Sequence, residues 1–385
     1  LSTDGIILNK VFTKILGTSS PMNLSLVGYQ GLAGGNVSLG DLVAADPSLG
    51  TPSQLLSTPV SVKRLAQASV TALNNKAAGG DTAAGTAATP LGTFASTIDS
   101  GLMVKLGDVL AFDQPDGVAA AGAQLNAFDL ITTGAEKARI ANNTNLISIP
   151  NLEINPINGL PVISNLVTSG TGTTLAMTII EAPRLSALGP ARCPSPAPAP
   201  CVTYAQTAQI SLKLTTRVGI GTCPGLICAA DIVLPIDISA AKGVANLTAV
   251  TCANPISASQ VYSRVDTDGA SVKAIGPSVS LLSLPVAAPA LLGPVNLVSG
   301  STPLTFTGPF PSARQSTSAQ SVGLVPLVSA LLPIVGLVTA PILNATMGQI
   351  ESVLLGPVLK GLGISIAGAD VRAMQVRCGV PTLVE

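Results

Sequence analysis

The 385-residue sequence contains six cysteines, and both their even number and their spacing favour disulfide bonds. The first two enclose a stiff proline-rich loop, and the next two enclose a Pro-Gly turn, so each pair can close locally. This leaves the last two for each other, in a bond that would stabilise the fold by roughly 4–5 kcal/mol in the chain-entropy account. All six are predicted to be in disulfide bonds: Cys193, Cys201, Cys223, Cys228, Cys252 and Cys378.

A zinc site is the competing interpretation of these cysteines. Four-cysteine sites use pairs two to four residues apart. Cys223 and Cys228 could supply half of such a site, but the sequence contains no histidine to complete it. Disulfides are therefore preferred, and they predict a periplasmic or extracellular protein.

The absence of histidine also removes most of the common catalytic arrangements. Neither a Ser-His-Asp nor a Cys-His site can be built, and histidine-ligated metals are excluded. Gly219-Ile-Gly221 begins a dinucleotide-binding pattern, but Pro224 stands where its third glycine is needed. We therefore expect no enzyme activity, no cofactor and no metal.

Three weaker chemical patterns remain open at this stage. Residues 266–269 superficially resemble a calcium loop, but Ala270 occupies the next ligand position and a hairpin turn explains the segment better. A Ser-Lys dyad could use Lys63 or Lys273, each two residues after a serine, although solvated surface lysines are the simpler interpretation. Paired carboxylates of the glycosidase type have no local signature.

Charge is scarce and balanced. Charged residues make up 10% of the chain, whereas hydrophobic residues make up 47%. The 19 basic and 19 acidic side chains give a net charge of zero. Without a run of Lys or Arg, nucleic acid is not a favoured partner. A weakly charged, neutral surface offers little repulsion between copies, which favours self-association, although a neutral monomer fits the same composition.

Residues 1–145 are predicted to form a mixed domain of helices and short strands. Helices are expected over residues 6–16 and after the capping residues Thr51, Ser61 and Asn126. Alternating apolar residues over 22–26 predict a strand, and the Ala/Gly/Thr-rich segment 76–93 predicts a loop.

Residues 37–43 and 104–110 resemble one another. In each, a short extended piece is expected to end at Gly, after which an Asp can cap a helix. Chance similarity of two such short stretches is the alternative.

Residues 146–320 are predicted to form a β-rich domain that contains the disulfide loops. The clearest strand covers 208–215, where Ala208, Ile210 and Leu212 alternate with polar residues. A second strand over 232–238 contains Pro235, which predicts an edge position or a bulge. Residues 261–272 are predicted to form a hairpin that turns at Asp268-Gly269. Several strands at this spacing predict an antiparallel, β-sandwich-like or strongly curved sheet.

Residues 321–385 are predicted to pack back on the β domain. The stretch 324–343 is apolar enough to resemble a membrane span, but Pro326, Pro333 and Pro341 favour short helices buried in a core. Residues 368–378 are predicted to form a final strand. Together the three regions predict an α+β fold with a helical or mixed N-terminal region, a central antiparallel sheet and apolar C-terminal helices.

The sequence resembles the ectodomains of TadG-like proteins, which are associated with the bacterial tight-adherence (Flp-type) pilus system. The resemblance spans nearly the whole chain, and its motifs carry little chemistry. It lies in residues 23–30, 36–41, 51–56, 305–310 and 368–371 and in the ending 378–381.

The resemblance implies a role in the envelope or outside the cell, near pili, without catalytic residues. A bond between Cys252 and Cys378 suits the ending of the family. Members usually begin with a membrane helix that this sequence lacks, so any membrane contact is expected through such an anchor. The first residues read like the interior of a longer precursor from which targeting elements were removed.

The expected function is that of a non-catalytic, exported structural protein of the bacterial surface. It would contribute to a pilus-related or self-assembled filament or array, with copies of itself or other envelope and pilus proteins as partners. One alternative is a surface adhesin or binding module. A weaker alternative is a lipid-interacting protein that uses residues 324–343.

Overall fold

The N-terminal region is built from seven α-helices among the residues that the structure describes. The computed structural model describes residues 3–112, 121–122, 124–152, 173–188, 191, 201, 203–220, 230–240, 242–267, 271–274, 278–281, 284–286, 295–296, 300–310, 312–313, 315–317, 370–374 and 376. The helices are α1 (Thr3–Leu16), α2 (Leu26–Leu32), α3 (Leu39–Ala45), α4 (Pro52–Ser57), α5 (Val62–Ala78), α6 (Thr82–Ala95) and α7 (Ala127–Ala141).

The predicted helix starts are confirmed by their capping bonds. Thr51 and Gln54 form a reciprocal capping box at the start of α4. The Ser61 hydroxyl accepts a hydrogen bond from the amide of Arg64, and the Asn126 side chain accepts two at the start of α7. The predicted helix over 6–16 is confirmed as the main part of α1.

Short strands lead directly into three of these helices. The strands are β1 (Asn36–Ser38), β2 (Val60–Ser61), β3 (Met103–Val104), β4 (Leu110–Phe112) and β5 (Gln124–Asn126), of which β1 pairs with β5 and β2 with β3. The last residues of β1, β2 and β5 are also the helix caps: Ser38, Ser61 and Asn126. Strand pairing therefore fixes where each helix begins.

Residues 37–43 and 104–110 resemble one another in sequence, but only the first stretch forms a strand that leads into an α-helix. Ser38 caps α3, and Asp41 returns a bond to the Ser38 amide, so Asp41 is the partner of the cap and the prediction of an Asp cap is wrong. In the second copy Lys105 occupies the capping position and offers no acceptor oxygen, so only a 3₁₀ turn forms, over Leu106–Asp108.

The predicted strand over 22–26 is wrong. Met22 and Leu24 are buried as the alternation predicts, but the segment pairs with no strand. Instead, the side-chain amide of Asn9 binds both backbone groups of Leu24. Ser25 then caps α2, so the helix begins where the strand was expected to continue.

The predicted loop over 76–93 is also wrong, because α5 continues to Ala78 and α6 begins at Thr82 under an Asp81 cap. Alanine favours helix, and here it also allows close packing. A Cβ atom added at Gly35 would lie 2.5 Å from the Cβ of Ala87, so the chain after α2 runs very close to α6. Close packing of small residues thus stabilises helical structure in the segment that was predicted to be a loop.

The remaining strands form one large and one small antiparallel sheet and two short pairs among the described residues. The eight-stranded sheet contains β6 (Leu146–Leu152), β7 (Thr173–Glu181), β10 (Gln209–Ile220), β11 (Ala230–Ala240), β14 (Ser271–Ala274), β15 (Ser278–Leu281), β16 (Leu284–Val286) and β17 (Val295–Asn296). The four-stranded sheet contains β9 (Tyr204–Gln206), β12 (Gly243–Thr251), β13 (Gln260–Thr267) and β18 (Gly300–Thr307). The short pairs involve β4 with β8 (Ser186–Leu188), and β19 (Gln315–Ser316) with β20 (Asp370–Val371).

One face of the eight-stranded sheet packs on the helices. Apolar residues of four strands, among them Ile147, Met177, Leu212 and Ile238, belong to the same core cluster as the buried residues of α1 to α7. This cluster continues across the position between 145 and 146, so the change from helix to strand there lies within one continuous core.

The predicted strand over 208–215 is confirmed as part of β10, but Pro235 does not lie on an edge strand. It lies in β11, which pairs with β10 on one side and with β14 and β15 on the other, opposite Thr215 in an unshifted register. On the second side the partner strands stop on either side of it, since β15 pairs up to Val233 and β14 begins at Ile236. Proline cannot donate a backbone hydrogen bond, and the gap between β15 and β14 leaves no described strand opposite Pro235 on that side.

The four-stranded sheet has a core of its own. Five buried residues form it: Val261, Val265, Leu304, Phe306 and Val376. The predicted hairpin over 261–272 is wrong, because β13 belongs to this sheet and β14 to the larger one. Since the two sheets contribute to separate core clusters, the sandwich-like packing of one on the other stays a prediction.

The C-terminal region is described only in part. Among the described residues of the strand predicted over 368–378, only Asp370–Val371 form one, β20, which pairs with β19, whereas residues 372–374 and 376 belong to no strand. Residues 324–343 and the predicted C-terminal helices lie outside the described residues. Among the helices that the structure does describe, none has the length and apolarity needed to cross a membrane.

Candidate functional site

A cluster of paired polar side chains lies on the four-stranded sheet around Asn246, which is 1% exposed. Its side-chain oxygen accepts a hydrogen bond from the amide of Cys201 at 2.9 Å, and its nitrogen donates to Asp266 Oδ2 at 2.8 Å. Arg264 donates to the same carboxylate oxygen from Nε and Nη2, each at 2.9 Å. Asn246 therefore joins the segment that carries Cys201 to an ion pair on the neighbouring strand.

Two of the predicted disulfide cysteines lie beside this cluster or at the end of its strand. Cys201 is buried, Cys252 directly follows β12, and both are disulfide-bonded. The other four, Cys193, Cys223, Cys228 and Cys378, lie outside the described residues, so the predicted pairing stays a prediction. The sequence predicted the cysteines, whereas Asn246 stood out only as one of five Asn-x-Ser/Thr sequons, which do not indicate its role in the sheet.

The calcium alternative loses one of its ligands in this arrangement. Asp266 lies within β13 and is held by a guanidinium and an amide, while Asp268 and Gly269 lie outside the described residues. In the part of the chain that the structure describes, no three acidic or cysteine side chains are grouped so that they could hold a metal ion.

The outward face of the same sheet carries a row of polar side chains along β13. Gln260, Tyr262, Arg264 and Asp266 alternate with the buried residues of the strand, so they share the opposite face. The Tyr262 hydroxyl donates to the side-chain oxygen of Gln260. Each of the four side chains is thus tied to a neighbour and held in position.

The carboxyl group of Glu136 is a second unusual group, inside the helical layer. Glu136 lies on α7, is 4% exposed, and its Oε2 has no hydrogen-bond partner in the part of the chain that the structure describes. Burial, together with the nearby charge of Asp129, raises the pKa of Glu136 to about 8. Sequence analysis missed this residue, although its position among the buried residues of α7 could have indicated it.

A cleft of about 390 Å³ lies where α1 and α7 end beside β6. Arg139 Nε donates to the carbonyl of Ile15 at 2.6 Å, and burial lowers the pKa of the guanidinium. Lys14 also lines the cleft. Helix C-termini carry partial negative charge, so both cations are explained by the helix ends that they neutralise.

The Ser-Lys alternative gains no support from the described geometry. The Ser61 hydroxyl accepts the capping bond of α5, so it is used by the backbone. Ser271 and Lys273 lie in β14, where their backbones pair with β11.

No family model matches the chain, and no curated protein or solved structure is detectably similar to it. The resemblance to TadG-like ectodomains therefore stays a prediction.

Proposed function

We propose that this protein is a non-catalytic, exported structural protein of the bacterial surface, and that it contributes to a pilus-related or self-assembled filament or array. The observation that carries the proposal is the outward face of the eight-stranded sheet. Across three strands, Thr178, Ser211 and Ser239 lie side by side in register, opposite the face that packs on the helices. Thr178, Ser211 and Ser239 place no bulky group on this face, so the sheet of a second copy could approach it closely.

The charges on this face also favour self-association. Lys213 lies directly across from Asp237 on the adjacent strand, so the two residues together add no net charge to the face, although Asp237 Oδ1 is buried and has no hydrogen-bond partner among the described residues. At the edge of the face, Leu146 is 66% exposed and Ile180 is 49% exposed. A second copy that covered these two side chains would remove their apolar surface from water.

The disulfides support export. Cys201 and Cys252 are disulfide-bonded, and such bonds persist in oxidising compartments. Mass spectrometry of the native protein before and after reduction should show three disulfides. Six free thiols would contradict the export proposal.

Electron microscopy of the disulfide-intact protein at high concentration tests assembly. We expect filaments or ordered arrays from the wild type and their loss in Ser211→Lys, because a lysine there adds like charge to both facing copies. Thr71→Lys, on an exposed position of α5, is the matched control and should assemble normally. A monodisperse wild-type monomer would contradict assembly, and normal assembly of Ser211→Lys would contradict this face as the contact.

A surface adhesin is the second candidate. The row of side chains along β13 favours it, since a face of fixed polar groups around an aromatic ring is suited to binding. The lipid-interacting alternative depends on residues 324–343, which lie outside the described residues.

A further inference from the structure

We propose that the outward face of the four-stranded sheet binds a neutral polysaccharide along β13 and β18. This site goes beyond the proposed structural role and does not depend on it. The face is centred on Tyr262, with Gln260 on one side and the Arg264–Asp266 pair on the other. The four side chains span about 20 Å of strand at ~6.7 Å per pair of residues.

The neighbouring strand completes the surface with small side chains. In register with the row on β13, β18 places Thr307, Thr305, Pro303 and Ser301, all of them exposed. Hydroxyl groups beside a partly exposed aromatic ring offer both contacts that a sugar needs. The ring packs against its apolar C–H face, and the polar groups bind its hydroxyls.

The polar groups of the row are fixed before any ligand arrives. Asp266 Oδ2 takes the hydrogen bonds from Arg264 and Asn246, and Gln260 holds the Tyr262 hydroxyl. Groups already held in place lose little conformational entropy on binding.

Charge decides the class of ligand. Arg264 and Asp266 lie 2.9 Å apart and cancel, and no other charged residue lies in the rows of β13 and β18 described above. A polyanion or polycation would gain little net attraction here, whereas a neutral chain of hydroxyl groups loses nothing. The lack of net charge along these two rows therefore fits a neutral polysaccharide.

Affinity electrophoresis of the disulfide-intact full chain tests this site. Native gels would contain dextran, mannan or a soluble β-glucan, with polyanionic alginate as the comparison. We expect at least one neutral polymer to retard the wild type. Tyr262→Ala should weaken binding about tenfold, since a ring contact contributes on this scale, and Tyr262→Phe should retain most of it.

Arg264→Ala should also weaken retardation, whereas the control Arg64→Ala, which breaks an ion pair on the helical layer, should not. Absence of retardation by every neutral polymer, retardation by alginate alone, or wild-type behaviour of Tyr262→Ala would overturn the proposal. If Tyr262→Ala fails to fold, hydrogen exchange of the wild type decides. The polymer must slow exchange in β13 and β18, and protection elsewhere would overturn the site.

The two proposals fail separately. Loss of polysaccharide binding in Tyr262→Ala or Arg264→Ala should leave filaments intact in electron micrographs. Loss of assembly in Ser211→Lys should leave the retardation unchanged.

Discussion

Asn9 and Leu24 exchange two hydrogen bonds in the manner of residues on adjacent strands, although only one of them contributes its backbone. Asn9 Nδ2 donates to the Leu24 carbonyl at 3.0 Å, and Asn9 Oδ1 accepts from the Leu24 amide at 2.9 Å. The Tyr29 hydroxyl donates to the same Oδ1 at 2.9 Å. A buried amide on a helix thus satisfies an extended segment that has no strand partner.

Replacing Asn9 with Ala should therefore leave the buried amide and carbonyl of Leu24 unpaired. We expect a loss of about 2–4 kcal/mol in the free energy of unfolding, because each unsatisfied buried group costs roughly 1–3 kcal/mol. Urea denaturation measures the change. Asn74→Ala, at an exposed position of α5, is the control and should change the free energy by less than about 0.5 kcal/mol. Equal stability of the two variants would show that the pairing contributes little.

Gly35 and Gly92 should respond in opposite directions to alanine. Gly35→Ala places a Cβ atom 2.5 Å from that of Ala87, so α6 must move and stability should fall by about 1–3 kcal/mol. Gly92 lies within α6, and a Cβ atom added there meets only Val70 Cγ1, at 3.8 Å. Gly92→Ala should therefore raise the free energy of unfolding by up to about 1 kcal/mol, because alanine favours helix over glycine. Thermal unfolding midpoints of the two variants give the comparison. A shift in the same direction for both would refute the close packing at Gly35.

Glu136 should make stability fall as pH rises. At a pH below its ordinary pKa of 4.5 the group is protonated in both the folded and the unfolded chain, and its contribution is fully present. As pH rises further, the Glu136 carboxyl ionises first in the unfolded chain. Its contribution to the free energy of unfolding is completely lost above the folded-state pKa of about 8. Each unit of difference between the folded-state and unfolded-state pKa changes the free energy of unfolding by about 1.4 kcal/mol.

Urea denaturation at pH 6 and pH 9 tests this dependence. No histidine titrates between these values, so the signal from Glu136 is not obscured by imidazole groups. Glu136→Gln keeps the shape without the ionisation and should flatten the profile. A wild-type free energy that does not change over this range would contradict the shifted pKa.

Asn246 should stabilise the four-stranded sheet locally. Asn246→Ala leaves the Cys201 amide without its acceptor and removes one donor from Asp266, at a cost of about 1–3 kcal/mol. Hydrogen exchange should become faster in β9, β12 and β13 while the core of α5 and α7 stays protected. Thr248→Ala, on the same strand, is the control. Uniform acceleration across the chain would instead indicate that the two cores unfold together.

The sequence by itself determined the features that depend on contacts within about four residues. The caps at Thr51, Ser61 and Asn126 and the alternation along β10 are of this kind, because donor and acceptor, or buried and exposed positions, are adjacent in the chain. The α+β class followed from the change of period after residue 145. The sequence also predicted that the cysteines form disulfides, which the structure shows for Cys201 and Cys252, while their pairing stays a prediction.

Only the tertiary structure decided which distant groups meet. The strand expected at 22–26 was replaced by an amide fifteen residues away, and Pro235 was accommodated by a break between β14 and β15. The strands before and after the predicted turn at 268–269 pair in different sheets, although the Asp-Gly sequence favours a hairpin. In each case the local pattern allowed several hydrogen-bond partners, and the burial of apolar surface chose between them.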